Sequence, residues 1–511
     1  MDPHPIPTME RSALRLGSLS WTAAGGCVLA SVLCFHGAFQ VSWATVLVIG
    51  YLGFLMELRR LPTPRSAFYA GLLVGLGIYV PPMAFLGSVF GPAAVVLWGI
   101  LALFHAVFVL VLHRVETLAG TAWALGLAPV VWCGLEYFRS EVWWLRFAWL
   151  TAGSVFVDAP RAWLGTFGVY GLGGLVTAMA SGLWMLFRPP LRRSGLWIGS
   201  AVTVAAVASI AIAGFRSPNR EGMERPVRVA GIQLESPGVP EVLVALDGLV
   251  RSDAGVELIQ LSEYTFEAEV PTAIRSWCRQ HRRWLVAGGR EEIPGNGGSP
   301  VPAGAALQVG SAQEGGRFFN TAFVVDPNGD VCFQQAKSRP IQFFRDGEPA
   351  PTQRLWDSPW GKWGVAICYD ASYRRVMDVL VRLGAEGLLI PTMDLETWGG
   401  TEHELNARMA RIRALEYGLP VFRVASSGVS LILDREGRTL ASAPFPGPGA
   451  TLVSSVALRT GGGSVPWDAV VAPICLVLTG LLIVGLLVQP LLKARRVPSM
   501  LATDSQSPTV S

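Results

Sequence analysis

Two patterns of apolar and polar positions divide this chain. Apolar runs long enough to span a membrane follow one another at 18–36, 42–57, 66–87, 92–113, 121–138, 163–187 and 195–214, and a last one lies at 468–492. Eight membrane helices are expected, with 42–57 short for a span and 121–138 carrying Glu136. Between 216 and 466 the period shortens. Strand-like segments at 226–233, 256–262 and 284–289 are separated by helix-like stretches at 239–251 and 271–281. After a Gly/Pro-rich loop at 295–304, residues 319–325 and 331–335 read as a hairpin turned by Asp326-Pro-Asn-Gly329. Val365, Ala366 and Ile367 form a buried strand ending at Cys368, with a helix at 375–383. A strand at 386–390, a long helix at 402–417 and strands at 421–425 and 429–433 complete the series. Strands alternating with helices indicate an α/β domain.

Composition supports a membrane part joined to a folded domain. The 511 residues are 51% hydrophobic and only 15% charged, with mean hydropathy +0.42. The expected organisation is a helical membrane domain at 1–216, a catalytic-type domain at 226–458, a closing membrane helix at 467–492 and a polar tail at 497–511. A net charge of +4, with basic residues flanking apolar runs, argues against nucleic-acid binding. With the N-terminus in the cytoplasm, Arg11, Arg15, Arg59, Arg60, Arg65, Arg114, Arg188, Arg192, Arg193, Lys493, Arg495 and Arg496 all fall inside. Only Arg139, Arg146 and Arg161 occupy the opposite loops, so the domain at 216–466 is expected outside the cytoplasm. The first apolar run has no cleavage pattern and reads as a retained helix. Seven scattered cysteines, without metal-ligand spacing, indicate neither a zinc site nor a disulfide framework.

Three residues at strand ends carry candidate chemistry. Glu263 ends the second strand, where partial desolvation raises a carboxyl toward the range of a general base. Lys337 ends the hairpin and is placed to stabilise an oxyanion, or is an edge charge. Cys368 precedes a helix whose N-terminal N–H groups lower a thiol pKa, or is a small core residue. His281 and His403 have no telling context, which weakens a Cys–His pair. Glu136 and Arg139, near the outer end of a span, admit a structural ion pair or a contact to lipid head groups. Trp356 and Trp360 read as core, and Phe343 and Phe344 as an apolar lid dipping into lipid.

With Glu263, Lys337 and Cys368 in that order, the domain resembles the nitrilase (carbon–nitrogen hydrolase) superfamily, whose catalytic set is Glu, Lys and Cys. Phe319-Asn320-Thr-Ala, Asp326-Pro-Asn-Gly329, the 408–416 helix and Ser427-Gly428-Val429 extend the likeness. The resemblance implies an αββα sandwich. Trp132-Cys-Gly-Leu-Glu136-Tyr-Phe-Arg139, Phe147-Ala-Trp149-Leu and Gly168-Val-Tyr-Gly171 look like the membrane region of the apolipoprotein N-acyltransferase family. Asp394-Leu-Glu-Thr-Trp398 falls where that family has an Asp-x-x-Trp-like loop. The chain departs from the family after the lysine, where Glu348 is the candidate for a second glutamate, and at Tyr369-Asp370, where the family has Tyr-Glu.

The resemblance implies acyl transfer from a membrane phospholipid, through a thioester on Cys368, to the N-terminal amine of a diacylglyceryl-cysteine lipoprotein. Glu263 would act as base and Lys337 as oxyanion stabiliser, with Glu348, Tyr369, Asp370, Trp398, Phe343 and Phe344 in support and no metal or organic cofactor. The implied setting is a bacterial inner membrane with the catalytic domain periplasmic. A membrane-anchored amidase using water, and a transporter or scaffold with a degenerate enzyme domain, are the rival readings.

Overall fold

A computed structural model describes residues 17–41, 45–216, 223–294, 316–446 and 449–496. The loop expected at 295–304, the polar tail at 497–511, and Arg11 and Arg15 lie outside these residues. A helix lies on each of the eight apolar segments: α1 (Trp21–Gln40), α2 (Thr45–Glu57), α3 (Pro64–Tyr79), α4 (Phe85–Phe90) leading into α5 (Ala94–Ala119), α6 (Thr121–Tyr137), α7 (Arg161–Leu186), α8 (Arg192–Arg216) and, at the far end, α13 (Asp468–Arg496). The segment expected at 66–87 is divided because Pro81 and Pro82 cannot continue the ladder of α3. Among the described residues, four stretches, Trp21–Gln40, Phe85–Ala119, Arg161–Leu186 and Asp468–Gln489, are long and apolar enough to cross a membrane. α2, with 13 residues, is shorter than a hydrocarbon core of about 30 Å requires. It sits inside the bundle instead, with Leu52, Leu55 and Met56 fully buried. α3 and α5 pack closely because Gly71 and Gly75 present no side chain; a Cβ on Gly75 would lie 2.6 Å from Ala102 Cα.

The remaining elements build a sandwich. One sheet has the order β12-β1-β2-β3-β4-β5, from Thr451–Arg459, Glu224–Ile232, Leu258–Gln260, Trp284–Glu292, Phe318–Val325 and Val331–Ala336. The second runs β11-β10-β9-β8-β7-β6, from Thr439–Ala443, Ser430–Leu433, Val421–Ala425, Gly387–Thr392, Gly361–Val365 and Leu355–Ser358. Val227, Val229, Leu258 and Val286 of the first sheet meet Val365, Leu389, Phe422 and Val424 of the second, the alternate residues of each strand facing inward. The outward residues of the first sheet are covered by α9 (Val239–Ser252) and α10 (Thr272–His281) through Leu246, Ile274 and Cys278. Those of the second are covered by α11 (Arg374–Arg382) and α12 (Gly400–Tyr417) through Met377, Leu380, Ala410 and Tyr417. The layers are therefore αββα. The antiparallel pairing of β12 with β1, from Glu224 opposite Arg459 to Ile232 opposite Thr451, brings the chain back toward α13.

The sandwich rests on the helices. α7 breaks its helical geometry at Gly168, whose φ is +69°. The freed N–H groups are taken up across the boundary: Val169 N donates to Glu416 Oε1 at 2.8 Å and Tyr170 N to Asp468 Oδ2 at 3.1 Å. Only glycine suits this position, because a Cβ would collide with the Asp468 carboxylate.

Candidate active site

Three strand ends converge. Glu263, just past β2, is buried; its Oε1 accepts from Lys337 Nζ at 2.8 Å and from Asn320 Nδ2 at 2.6 Å. Lys337 directly follows β5 and also faces Asp346 at 2.7 Å. Cys368, just past β7, opens a short 3₁₀ turn (Cys368–Ser372) with a left-handed φ of +48°, unusual for a side chain with a Cβ. Met393, following β8, links the carboxylate and the thiol: its N–H donates to Glu263 Oε2 at 2.8 Å, and Cys368 Sγ approaches its carbonyl at 3.8 Å.

Burial raises the Glu263 carboxyl above its ordinary value, Lys337 opposing and Asp346 adding to the shift. Burial works against the Lys337 charge, but Asp346 and Glu263 outweigh it and hold the ammonium well above its usual range. Burial, reinforced by Glu263, also pushes the Cys368 thiol well up. The lowering expected from a helix end is thus overturned by desolvation. Two carboxylates share one ammonium, so the cluster has a standing affinity for one more proton.

The supporting residues are distributed differently from the expectation. Glu348 is outside the cluster: its side chain is 38% exposed and pairs with Arg317 Nε at 2.9 Å. The buried acid beside Lys337 is Asp346, two residues earlier, which also accepts from Tyr264 OH at 2.9 Å, Asn320 Nδ2 at 2.8 Å and Ile341 N at 2.8 Å. Gly347, with φ +84°, turns the chain between the two acids and packs against Asn320 N. The resemblance pointed to Glu348, although it lies farther from the lysine than the family pattern has its glutamate; the signal for Asp346 is an acid directly before a turn glycine.

Asp370 braces the Cys368 turn. Its carboxylate accepts from Ile367 N at 3.2 Å, Ser338 N at 3.0 Å and Arg339 N at 2.7 Å, tying Cys368 to the chain that leaves Lys337. Burial pushes its carboxyl up to about 6 although those N–H groups resist the shift. Tyr369 points to the membrane helices, its hydroxyl donating to Arg146 O at 3.2 Å. Phe343 is 46% exposed, with its ring 6.0 Å from Phe90 and from Trp144. Phe344 lies 5.6 Å from Phe90 and 6.2 Å from Trp398. Between this loop and α4–α5 an apolar cavity of about 130 Å³ is lined by Phe90, Leu97, Ile100, Leu101, Phe343 and Tyr369, among others. Trp356 and Trp360 pack on Trp284, away from these rings. Asp394, Glu402 and His403 bring ligand atoms within 4.8 Å of one another. There the place of a cation is already taken by Arg423, 2.5 Å from Asp394.

Comparison with known proteins follows the same division. The carbon-nitrogen hydrolase family model matches residues 245–460, and that of the apolipoprotein N-acyltransferase N-terminal domain matches 26–183. The apolipoprotein N-acyltransferase of Azotobacter vinelandii is 26% identical over 442 residues, covering 77% of this chain and 80% of that protein. That of Pseudomonas syringae pv. tomato is 26% identical over 477 residues, covering 84% and 88%. Along most of its length the chain is similar to apolipoprotein N-acyltransferases. A crystal structure of a nitrilase-superfamily protein from Saccharomyces cerevisiae, 17% identical, covers 46% of this chain and 90% of its own with a TM-score of 0.37.

The segment between α6 and α7 packs against one side of the site. Trp149 Nε1 donates to Ser372 Oγ at 2.9 Å, and Arg408 Nε of α12 donates to Ser154 O at 3.0 Å. Glu136 and Arg139 are not an ion pair: among the described residues each finds other partners. Glu136 accepts from Ala152 N, and Arg139 donates to the Tyr79 hydroxyl and to Trp149 O. Their burial removes the head-group contact as well.

Proposed function

We propose that this chain transfers an acyl group from a phospholipid to the N-terminal amine of a diacylglyceryl-cysteine lipoprotein, through a thioester on Cys368. The observation that carries the reading is the buried Glu263–Lys337–Asp346 cluster beside a buried thiol at a strained turn. Glu263 takes the Cys368 proton as sulfur attacks the ester carbonyl. Lys337 stabilises the oxyanion, the ester C–O bond breaks, and the leaving alkoxide takes the proton from Glu263. The lipoprotein amine then attacks the thioester; its proton passes by way of Glu263 to the departing sulfur, restoring the thiol. The cavity beside Tyr369, apolar but for Arg146 and Gln342, suits the first methylenes of the acyl chain.

The test is mass spectrometry of the full chain in phospholipid vesicles. An acyl mass on Cys368, lost on addition of a diacylglyceryl-cysteine peptide, is expected; release of free acid instead would indicate a hydrolase. The sandwich is proposed to face the periplasm, since the basic loops gather on the opposite side. Cysteines at the exposed positions Asn328 and Arg192 should then react oppositely with an impermeant thiol reagent. Labelling of Arg192→Cys from outside intact cells sinks that orientation.

A further inference from the structure

Glu136 and Arg139 take no part in the reaction above, yet both reach the same short strap of chain. Glu136 Oε1 accepts from Ala152 N at 2.8 Å, and Arg139 Nη2 donates to Trp149 O at 3.3 Å. The Arg139 carbonyl receives Phe147 N at 3.1 Å. The strap is therefore held at three points from the end of α6. Its other side lies on the nucleophile turn: besides the Trp149–Ser372 bond, the Tyr369 and Tyr373 hydroxyls both donate to Arg146 O at 3.2 Å. A direct ion pair would satisfy both charges locally. Each is aimed instead at a backbone group of the strap. The Trp132 side chain also hydrogen-bonds the Glu136 carboxylate, and Glu136 and Arg139 both line a cavity of about 20 Å³.

We propose that Glu136 and Arg139 are positioning residues for acyl transfer, setting the place of the Cys368 turn through the 147–152 strap and Trp149. The inference rests on the thioester reading above. A misplacement of about 1 Å at a reacting centre costs on the order of 10²-fold in rate, so a strap that shifts by less than that still registers kinetically.

The test is a double-variant cycle on the full chain in phospholipid vesicles, reading the single-turnover rate of Cys368 acylation. Arg139→Lys keeps the charge but loses the planar fork that reaches two acceptors. Ser372→Ala removes the acceptor of the Trp149 N–H. Each is expected to slow acylation about tenfold with the phospholipid KM unchanged. The double variant should be no slower than the slower single one, because both cut the same chain of contacts. Slowing of about a hundredfold in the double variant, or a wild-type rate in Arg139→Lys, overturns the inference. Should Arg139→Lys fail to fold, Glu136→Leu carries the same cycle with the same outcomes. Glu136→Gln, which keeps an oxygen for Ala152 N, should rescue the rate to within about twofold of wild type; no rescue counts against the strap. A wild-type protein that never acquires a thioester overturns both this inference and the reaction, whereas a wild-type thioester with multiplicative variants overturns this inference alone.

Discussion

Two of the buried charge clusters among the described residues lie around Lys337 and around Arg374. The Lys337 cluster lies within the sandwich, and two carboxylates compete for one ammonium. The Arg374 cluster lies where the sandwich meets the helices, and its carboxylates are held largely by backbone donors. Glu141 accepts from Arg374 N at 2.8 Å and Arg375 N at 3.3 Å, and Glu416 from Val169 N at 2.8 Å. Asp468 accepts from Tyr170 N and pairs with Arg374, while Arg413 pairs with Glu416 and donates to Ala371 O and Ser372 O. Backbone donors cannot give up a proton or move without the helix that carries them. The first cluster is therefore suited to passing a proton, and the second to fixing one domain on the other.

The sharpest separation of the two comes from removing the Cys368 thiol. Cys368→Ala should abolish acyl transfer, a loss of roughly 10⁴-fold or more, while thermal unfolding stays near that of wild type. Retained transfer would show that the Lys337 cluster serves something other than this thiol. Arg374→Met should do the reverse. It leaves Asp468 and Asp378 buried without their cation, which costs about 3–5 kcal/mol, read as a lower unfolding midpoint of the detergent-solubilised chain. A loss under about 1 kcal/mol would reduce that interface to surface-like pairing.

Asp346→Asn probes the proton balance within the first cluster. The Asp346 charge helps keep the Glu263 carboxyl raised, so its removal lowers that value. The base works only above its own pKa, so the acid limb of the acylation rate should move to lower pH. The maximal rate should fall roughly 10²-fold as the weaker base takes the thiol proton less readily. Glu348→Gln, on a solvated Arg317 pair, should leave the rate within about twofold. Equal effects of the two changes would erase the distinction between Asp346 and Glu348.

That distinction marks how far the residues could be read before the fold was seen. Strand ends are legible because a period of two stops at a definite residue, which is how Glu263, Lys337 and Cys368 stood out as one set. The helices on all eight apolar segments were legible for the same kind of reason. Asp346 and Glu348 differ by two positions in an irregular loop, where no period tells inward from outward; the turn at Gly347 and the packing against β4 decide it. The partners of Glu136 and Arg139 were hidden because they are backbone groups of a strap whose path only the tertiary structure defines. The β12–β1 pairing joins residues more than two hundred positions apart, and nothing local at 451–459 announces it.

The loop that carries Asp346 also carries the smallest effect expected here. Phe343 and Phe344 stand side by side, but Phe343 is 46% exposed while Phe344 is wedged between Phe90 and Trp398. A half-exposed ring loses only about 1 kcal/mol of burial on truncation, against about 3–5 kcal/mol for a core phenylalanine. Phe343→Ser should therefore unfold close to the wild-type temperature. Its ring borders the apolar cavity beside Tyr369, so the change should raise the KM for a long-chain phospholipid about threefold, with little change for a short-chain ester that does not reach the cavity. Phe344→Ser removes a contact to Trp398 as well, and should lower stability more than Phe343→Ser does. If Phe343→Ser weakened long and short donors alike, the ring would be supporting the Lys337 cluster rather than meeting lipid. The loop would then belong to the proton-passing half of the comparison alone.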